Sequence, residues 1–355
     1  VGARYIGSKS RVAELVVDLA GEPGAGRFVD AFCGTGAVAA AAARRTWPVV
    51  LNDSLSAAVV MATGAVVGRD NVPFRGFGGY ENACTELDAL PGTPGFLTRQ
   101  YSPAAAAVIG FERRYFTTDN AARLDAMRSA IHRWSRSGRL TPDERDLLLA
   151  DLMFAANSVA NTSGTYGCFL SDWSASALRP VRLSSRQLPD RHTRYRARIG
   201  DVTAVPTTDD DVVYYDPPYT KRQYAAYYHL LETLTVGDEP AVDGVTGLRP
   251  WQSRASEFCY KSRAATALCR LVTNTRARRI LLSYSSEGHV TQDRLLTALT
   301  AAGDIRVHTL EAVGRYRPNS MASANGSRVT EYVIEIVPNP RRRCGDAGTA
   351  GGERR

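Results

Sequence analysis

Strand and helix signals alternate through residues 27–53, stop, and resume only near residue 201 of the 355-residue chain. The gap, about 150 residues, is far beyond the handful that normally join a strand to the next helix. An α/β sheet built by this chain must therefore be interrupted by a large insertion. Before the gap, residues 27–30 form a short strand running into Gly34-Thr35-Gly36. Residues 37–45 are alanine-rich and helical, and residues 49–51 make a second strand closed by Asn52-Asp53. That order is a βαβ start and implies a parallel sheet. After the gap, strands are expected at 212–215, 280–284, 305–310 and 332–337, with a helix over 291–302.

Within the insertion, Leu124, Met127, Ile131 and Trp134 recur at helical spacing over residues 120–137, and Gly138 ends the run. Thr141-Pro142-Asp143-Glu144 is a capping box with proline in the first helical position, opening a helix that reaches about residue 160. A loop with two glycines follows at 161–167, and residues 179–198 are strongly basic. The expected organisation is one α/β unit made of 1–65 and 196–338, a mainly helical insert over 66–195, and a disordered Arg- and Gly-rich tail at 339–355.

Composition adds bounds. With 44% apolar residues the chain can bury one large core or two moderate ones. No apolar run reaches membrane-spanning length, and the segment from Val1 to Arg4 leads into polar sequence rather than a signal peptide. A soluble, cytoplasmic protein is expected. The formal charge of +8 suits a polyanion partner. Because arginine supplies nearly all the basic residues, the charge fits a GC-rich genome equally well. Six scattered cysteines form no C-x-x-C pair and have no histidine at zinc-ligand spacing, so no metal is expected.

The run Phe28-Val29-Asp30-Ala31-Phe32-Cys33-Gly34-Thr35-Gly36 ends a strand, turns on glycine and starts a helix. Glycine lets a ligand approach the backbone with no Cβ between them. In such sheets the ligand lies at the carboxyl ends of the strands, where Asp53, closing the next strand, can accept hydrogen bonds from two ribose hydroxyls. The turn alone serves NAD or S-adenosyl-L-methionine (SAM), since Gly34, Gly36 and Ala39 satisfy the dinucleotide pattern. Asp30 favours SAM: an acid beside the turn suits a methionine ammonium and repels a pyrophosphate.

A second site follows the apolar strand 212–215: Asp216-Pro217-Pro218-Tyr219. An exocyclic amine on a base is a poor nucleophile because its lone pair is delocalised into the ring. Two acceptors aimed at its hydrogens favour a more tetrahedral nitrogen. Asp216 supplies a carboxylate, Pro217 a carbonyl on a backbone with fixed φ, and Tyr219 a flat face for stacking. This is preorganised electrostatics rather than covalent catalysis. A base inside a duplex reaches such a pocket only when flipped out, at a few kcal/mol. The adjacent Lys221, Arg222, Tyr224, Tyr227 and Tyr228 are suited to offset that cost.

These residues resemble the D12-class, Dam-like family of adenine-specific DNA N6-methyltransferases over most of the chain. Arg4-Tyr5-Ile6-Gly7-Ser8-Lys9 is similar to the family's N-terminal SAM motif, and residues 30–36 to its D-x-F-x-G-x-G motif. Asp53 matches its ribose-binding acid, and Gly200-Asp201 its contact to the cofactor adenine. Asp216 to Tyr219 matches its catalytic motif. The resemblance implies a Rossmann-like seven-stranded methyltransferase sheet with its last strand antiparallel, and a helical target-recognition domain. It implies SAM as methyl donor, held by Tyr5, Lys9, Asp30, Phe32, Gly34, Gly36, Asp53 and Asp201. Double-stranded DNA is the implied partner, with a monomeric enzyme paired to a restriction or defence nuclease.

Two alternatives stand beside this reading. One is N4-cytosine or RNA base methylation, against which stand Asp216, where the cytosine enzymes usually carry serine, and the long insert, which small ribosomal-RNA enzymes lack. The other is a non-catalytic DNA-binding protein on a methyltransferase scaffold, which would not need an intact D-P-P-Y. Weaker features are the loop 161–167 as a DNA contact, Ser283 to Ser286 as a pocket edge, and Arg315, Tyr316 and Arg317 as phosphate contacts. Each is balanced by a purely structural role. His229 is expected to pack a helix rather than act as a base.

Overall fold

The structure is a computed structural model that describes Lys9, residues 12–310 and residues 330–339. Tyr5, the stretch with Arg315, Tyr316 and Arg317, and all but the first residue of the 339–355 tail lie outside the described residues.

The described residues form one sheet of seven strands: β1 (Phe28–Asp30), β2 (Val49–Asp53), β3 (Tyr195–Ile199), β4 (Val212–Tyr215), β5 (Arg279–Ser285), β6 (Gly303–Leu310) and β7 (Glu331–Pro338). Their order is β3-β2-β1-β4-β5-β7-β6. β7 runs antiparallel to both β5 and β6, and the pairings among β1 to β5 are parallel. The fold is thus the α/β sheet expected, with the last strand reversed. β3 is a strand the sequence reading did not anticipate. Its Tyr-Arg-Ala-Arg-Ile alternation has the period of a strand, but it is embedded in a basic stretch and pairs only at the sheet edge with β2.

Helices α1 (Ala13–Ala20), α2 (Ala37–Arg44) and α3 (Ser56–Val66) belong to the first α/β segment. Between α3 and β3 come α4 (Tyr80–Asp88), α5 (Phe96–Tyr101), α6 (Ala106–Ile109), α7 (Thr118–Arg136) and α8 (Pro142–Ser158). After β4 follow α9 (Tyr224–Tyr227), α10 (His229–Val236) and α11 (Ala264–Thr273), with α12 (Gln292–Leu299) between β5 and β6.

Successive strand residues point to opposite faces, and both faces of the sheet are buried along β1, β2, β4, β5 and β7, whereas the edge strands β3 and β6 are more open. Phe28, Leu51, Val212, Tyr214 and Leu281 pack with α1, α2 and α3, while Val29, Val213, Tyr215, Ile280 and Leu282 pack with α11 and α12. In α7 the buried residues include Leu124, Met127, Ile131 and Trp134, as the spacing requires. The Thr141 cap is reciprocal: the Glu144 N–H donates to its hydroxyl (3.2 Å), and the Thr141 N–H donates to the Glu144 carboxylate (2.9 Å). The core of these helices is continuous with α3 and α10.

One feature of the topology positions the site. From β1 the chain runs outward to β2 and β3 on one side, and β4 and β5 build the other. β1 and β4 are neighbours, with Asp30 level with Tyr214. The glycine turn and Asp216 to Tyr219 therefore leave the carboxyl ends of adjacent strands at the point where strand order reverses, where open α/β sheets bind ligands.

Candidate active site

One crevice at that switch point is lined by Lys9, Asp30, Phe32, Gly34, Asp53, Asp216 and Pro218, all expected from the sequence. Cys33, Gln223, Tyr224, Arg254 and Ser256 line it as well. Gly36 lies behind it at the start of α2 with φ +77°, and Gly34 has φ +49°. A Cβ on Gly36 would come within 2.5 Å of the Ala62 Cα, so only glycine lets α3 approach the turn. The turn is tied down by the Cys33 N–H donating to the Asn52 carbonyl (2.9 Å) and the Asn52 amide donating to the Ala31 carbonyl (3.1 Å).

Asp53 is held from two sides. The Gly34 N–H donates to its Oδ2 (3.3 Å) and the Leu55 N–H to its Oδ1 (3.0 Å). Burial nevertheless pushes its pKa up to about 6. Asp30 is 2% exposed. Its Oδ2 accepts from the Ala39 N–H (3.2 Å), while its Oδ1 is buried without a hydrogen-bond partner among the described residues. Burial, and then the nearby charge of Asp216, push its pKa up to about 8.

Asp216 has a cation. Lys9 Nζ lies 3.4 Å from its Oδ1 and also 3.5 Å from Glu331 Oε2 at the start of β7. Burial raises the Asp216 pKa to about 6, against the lowering effect of Lys9. For Lys9, burial acts to lower the pKa, but Asp216, Tyr219 and Glu331 together outweigh it and hold the ammonium charged. Lys9 Nζ is also 5.5 Å from the centre of the Tyr219 ring. That ring sits 5.7 Å from Tyr284, and the Tyr219 carbonyl accepts from the His289 N–H (2.9 Å). Pro217 is buried, and neither it nor Tyr219 lines the crevice itself.

The remaining expectations divide. Asp201 is exposed and its carboxylate accepts from the Thr203 N–H (2.7 Å). It adjoins the crevice only through Gly200, whose N–H donates to the Asp53 carbonyl (2.9 Å). Lys221 and Arg222 are exposed beside the site, whereas Tyr228 is buried in the helical core rather than facing the crevice. His229 is fully buried, bonds the Tyr166 carbonyl through Nε2 (2.9 Å) and has its pKa lowered to about 4 by burial, as a packing residue should. Ser283 is buried in β5 against the Tyr214 hydroxyl (2.8 Å). In the 161–167 loop the Tyr166 N–H donates to the Tyr227 carbonyl (2.9 Å), docking the loop beside α9.

Sequence reasoning missed the strap that borders the crevice. The Gln223 side chain accepts from the Ser256 N–H (2.8 Å) and donates to the Ser256 carbonyl (3.2 Å). Arg254, two residues earlier, pairs with the buried Glu232, whose carboxylate also accepts from the Ser56 (3.2 Å) and Ala57 (2.9 Å) N–H groups. Glu331 was missed too. Among the described residues no group of three or more His, Cys, Asp and Glu could hold a metal, and no helix is long and apolar enough to cross a membrane.

The site can thus hold a cation at Asp30, hydroxyls at Asp53, and an amine with an aromatic ring at Asp216 and Tyr219. Several known proteins are similar in sequence to this chain. The type II methyltransferase M.FokI of Planomicrobium okeanokoites is 31% identical over 347 residues, covering 94% of this chain and 52% of that protein. The modification methylase StsI of Streptococcus sanguinis is 32% identical over 83% of this chain and 46% of its own length, so the chain spans about half the length of these two relatives. The type II methyltransferase M.NlaIII of Neisseria lactamica is 30% identical over 88% of this chain and 89% of its own length. The model of the D12 class N6 adenine-specific DNA methyltransferases matches residues 5–295. The chain belongs to the D12 class N6 adenine-specific DNA methyltransferase family.

Proposed function

We propose that the protein moves a methyl group from SAM to N6 of an adenine flipped out of double-stranded DNA. The observation that carries this reading is that Asp30 and Asp216, at the ends of adjacent strands, line one crevice. The residues present suit SAM. A buried, partnerless carboxylate oxygen on Asp30 fits its ammonium, Asp53 fits its ribose, and the Gly34 turn leaves room for it. Lys9 and Phe32 border the same space, Gly36 shapes the turn behind it, and Asp201 lies beyond Gly200 at the ribose side. Tyr5 completes the family's motif in sequence. When bound, SAM supplies an electrophilic methyl group on sulfur.

The chain's own contribution is positioning. Asp216 and the Pro217 carbonyl accept hydrogen bonds from the two N–H groups of the amine, and Pro218 helps wall the pocket. Tyr219 stacks on the ring, and burial excludes water. Exposed Lys221 and Arg222 are placed to meet phosphates. The helical segment 66–195 serves as the target-recognition unit, and the enzyme works as a cytoplasmic monomer. The type II and modification-methylase names of the relatives support pairing with a restriction or defence nuclease.

DNA from cells expressing the protein, digested to nucleosides and resolved by mass spectrometry, should contain N6-methyladenine. N4-methylcytosine alone would overturn the assignment. In the purified protein Asp216→Ala should slow methyl transfer by about 10³-fold, the scale of losing a preorganised polar contact. SAM and DNA binding should be largely kept. Transfer at the normal rate in this variant would refute the mechanism.

A further inference from the structure

Lys9 sits where the reading above places a base. Its ammonium is 3.4 Å from Asp216 Oδ1 and 5.5 Å from the centre of the Tyr219 ring. The carboxylate and aromatic face assigned to an adenine amine and its ring thus hold an alkylammonium instead, by ion pairing and by cation–π attraction. Lys9 is the one cation within ion-pair distance of Asp216 among the described residues. The pair is shielded, at 7% and 15% exposure. Separating such a pair is costly when it strands a buried charge. Glu331 removes that obstacle, because its Oε2 lies 3.5 Å from the same ammonium, at the edge of the same site.

We propose that Lys9 fills the base pocket of the free protein as a stand-in for the target amine, and that Glu331 is the positioning residue that keeps the ammonium when the base takes Asp216. The inference rests on the adenine reading. Base entry then exchanges one partner of Lys9 for another already in place, so the ammonium is not left alone. Asp216 is released to accept hydrogen bonds from a neutral amine. Glu331 keeps the ammonium without touching the base; its own charge also raises the Asp216 pKa, an effect that works against base capture and is separate from Lys9.

The test uses two duplexes that carry the methylation context mapped in expressing cells. One has the target adenine, and the other an abasic site at that position. Only the first presents a base to the pocket, so the ratio of the two affinities reports base capture. Glu331→Gln should lower this ratio by about tenfold, the displaced ammonium having lost its second carboxylate. Binding of the abasic duplex should stay as in the unmodified protein. In a Lys9→Met background the same substitution should not lower the ratio, because no ammonium remains to be rehoused. Glu331→Asp should give an intermediate ratio, and it carries the comparison if thermal melting shows that Glu331→Gln does not fold.

Two results would overturn the proposal. One is a folded Glu331→Gln protein with an unchanged ratio, whether both duplexes bind as before or both are weakened equally. The other is a loss of ratio that persists in the Lys9→Met background. N6-methyladenine formed by the unmodified protein separates these failures from failure of the adenine reading. If that product is absent, both readings fall together.

Discussion

Asp30 ends β1 and Asp216 directly follows the end of the neighbouring β4, yet the surroundings of the two carboxylates differ. Asp30 has one backbone amide, a partnerless buried oxygen and no cation within ion-pair distance among the described residues; its pKa is pushed to about 8. Asp216 has a resident ammonium and a pKa near 6. The difference teaches what each carboxylate is prepared for. Asp30 is short of a positive charge and suits a ligand that brings one. Asp216 is kept nearer its ionised form by a lysine and suits a neutral amine that needs an acceptor.

The comparison breaks first at Asp30. Asp30→Asn keeps an acceptor for the Ala39 N–H but cannot ionise to meet a ligand ammonium. SAM affinity, read by calorimetry, should fall about 10- to 100-fold, the range of a hydrogen bond to a charged group. Affinity for DNA in the same variant should hold. An Asp30→Asn protein that binds SAM as tightly as before would remove the distinction between the two carboxylates. A smaller effect sharpens the Asp216 side. Tyr219→Ala should raise KM for DNA about tenfold, near the low end of base–aromatic stacking energies. Tyr219→Phe, which keeps the flat face, should be close to silent. If Phe is as damaging as Ala, the hydroxyl rather than the ring is what matters.

The parts of the site at the carboxyl ends of β1, β2 and β4 were legible from the sequence. β4 needs only four apolar residues in a row and a D-P-P-Y after them, and the structure has it at Val212–Tyr215. The glycine turn likewise announces itself, because Gly34 and Gly36 adopt positive φ that most residues avoid. Glu331 and Arg254 were not legible. Each is a charged residue whose ordinary state is solvated, and only the assembled sheet reveals that one faces Lys9 and the other Glu232. Gln223 and Ser256 lie in loops, and their paired hydrogen bonds follow no local periodicity. β3 was missed because its two arginines belong to a basic run that dilutes a period of two.

The smallest effect concerns stability, and it discriminates between the two carboxylates by pH. A carboxylate whose folded pKa is raised binds protons more tightly in the folded state than in the unfolded one. Its stabilising contribution is complete below the ordinary carboxylate range and is lost as pH rises through the folded value. For Asp216 and Asp53 that loss is largely over above about 6, whereas Asp30 continues to about 8. Between those values the ligand-free protein should therefore lose stability that an Asp30→Asn variant keeps. Each kcal/mol in a chain of this size moves Tm by roughly 1–2 °C, so the two melting curves should diverge by a few degrees at most across the window. Titrating groups remote from Asp30 cancel in the difference. Saturating SAM should then hold the unmodified protein's Tm steady over the same range, because a bound ammonium gives the ionised Asp30 the partner it lacks. Parallel melting profiles for the unliganded protein and its Asp30→Asn variant would mean that Asp30 ionises without penalty, and the contrast between the two carboxylates would lose its physical basis.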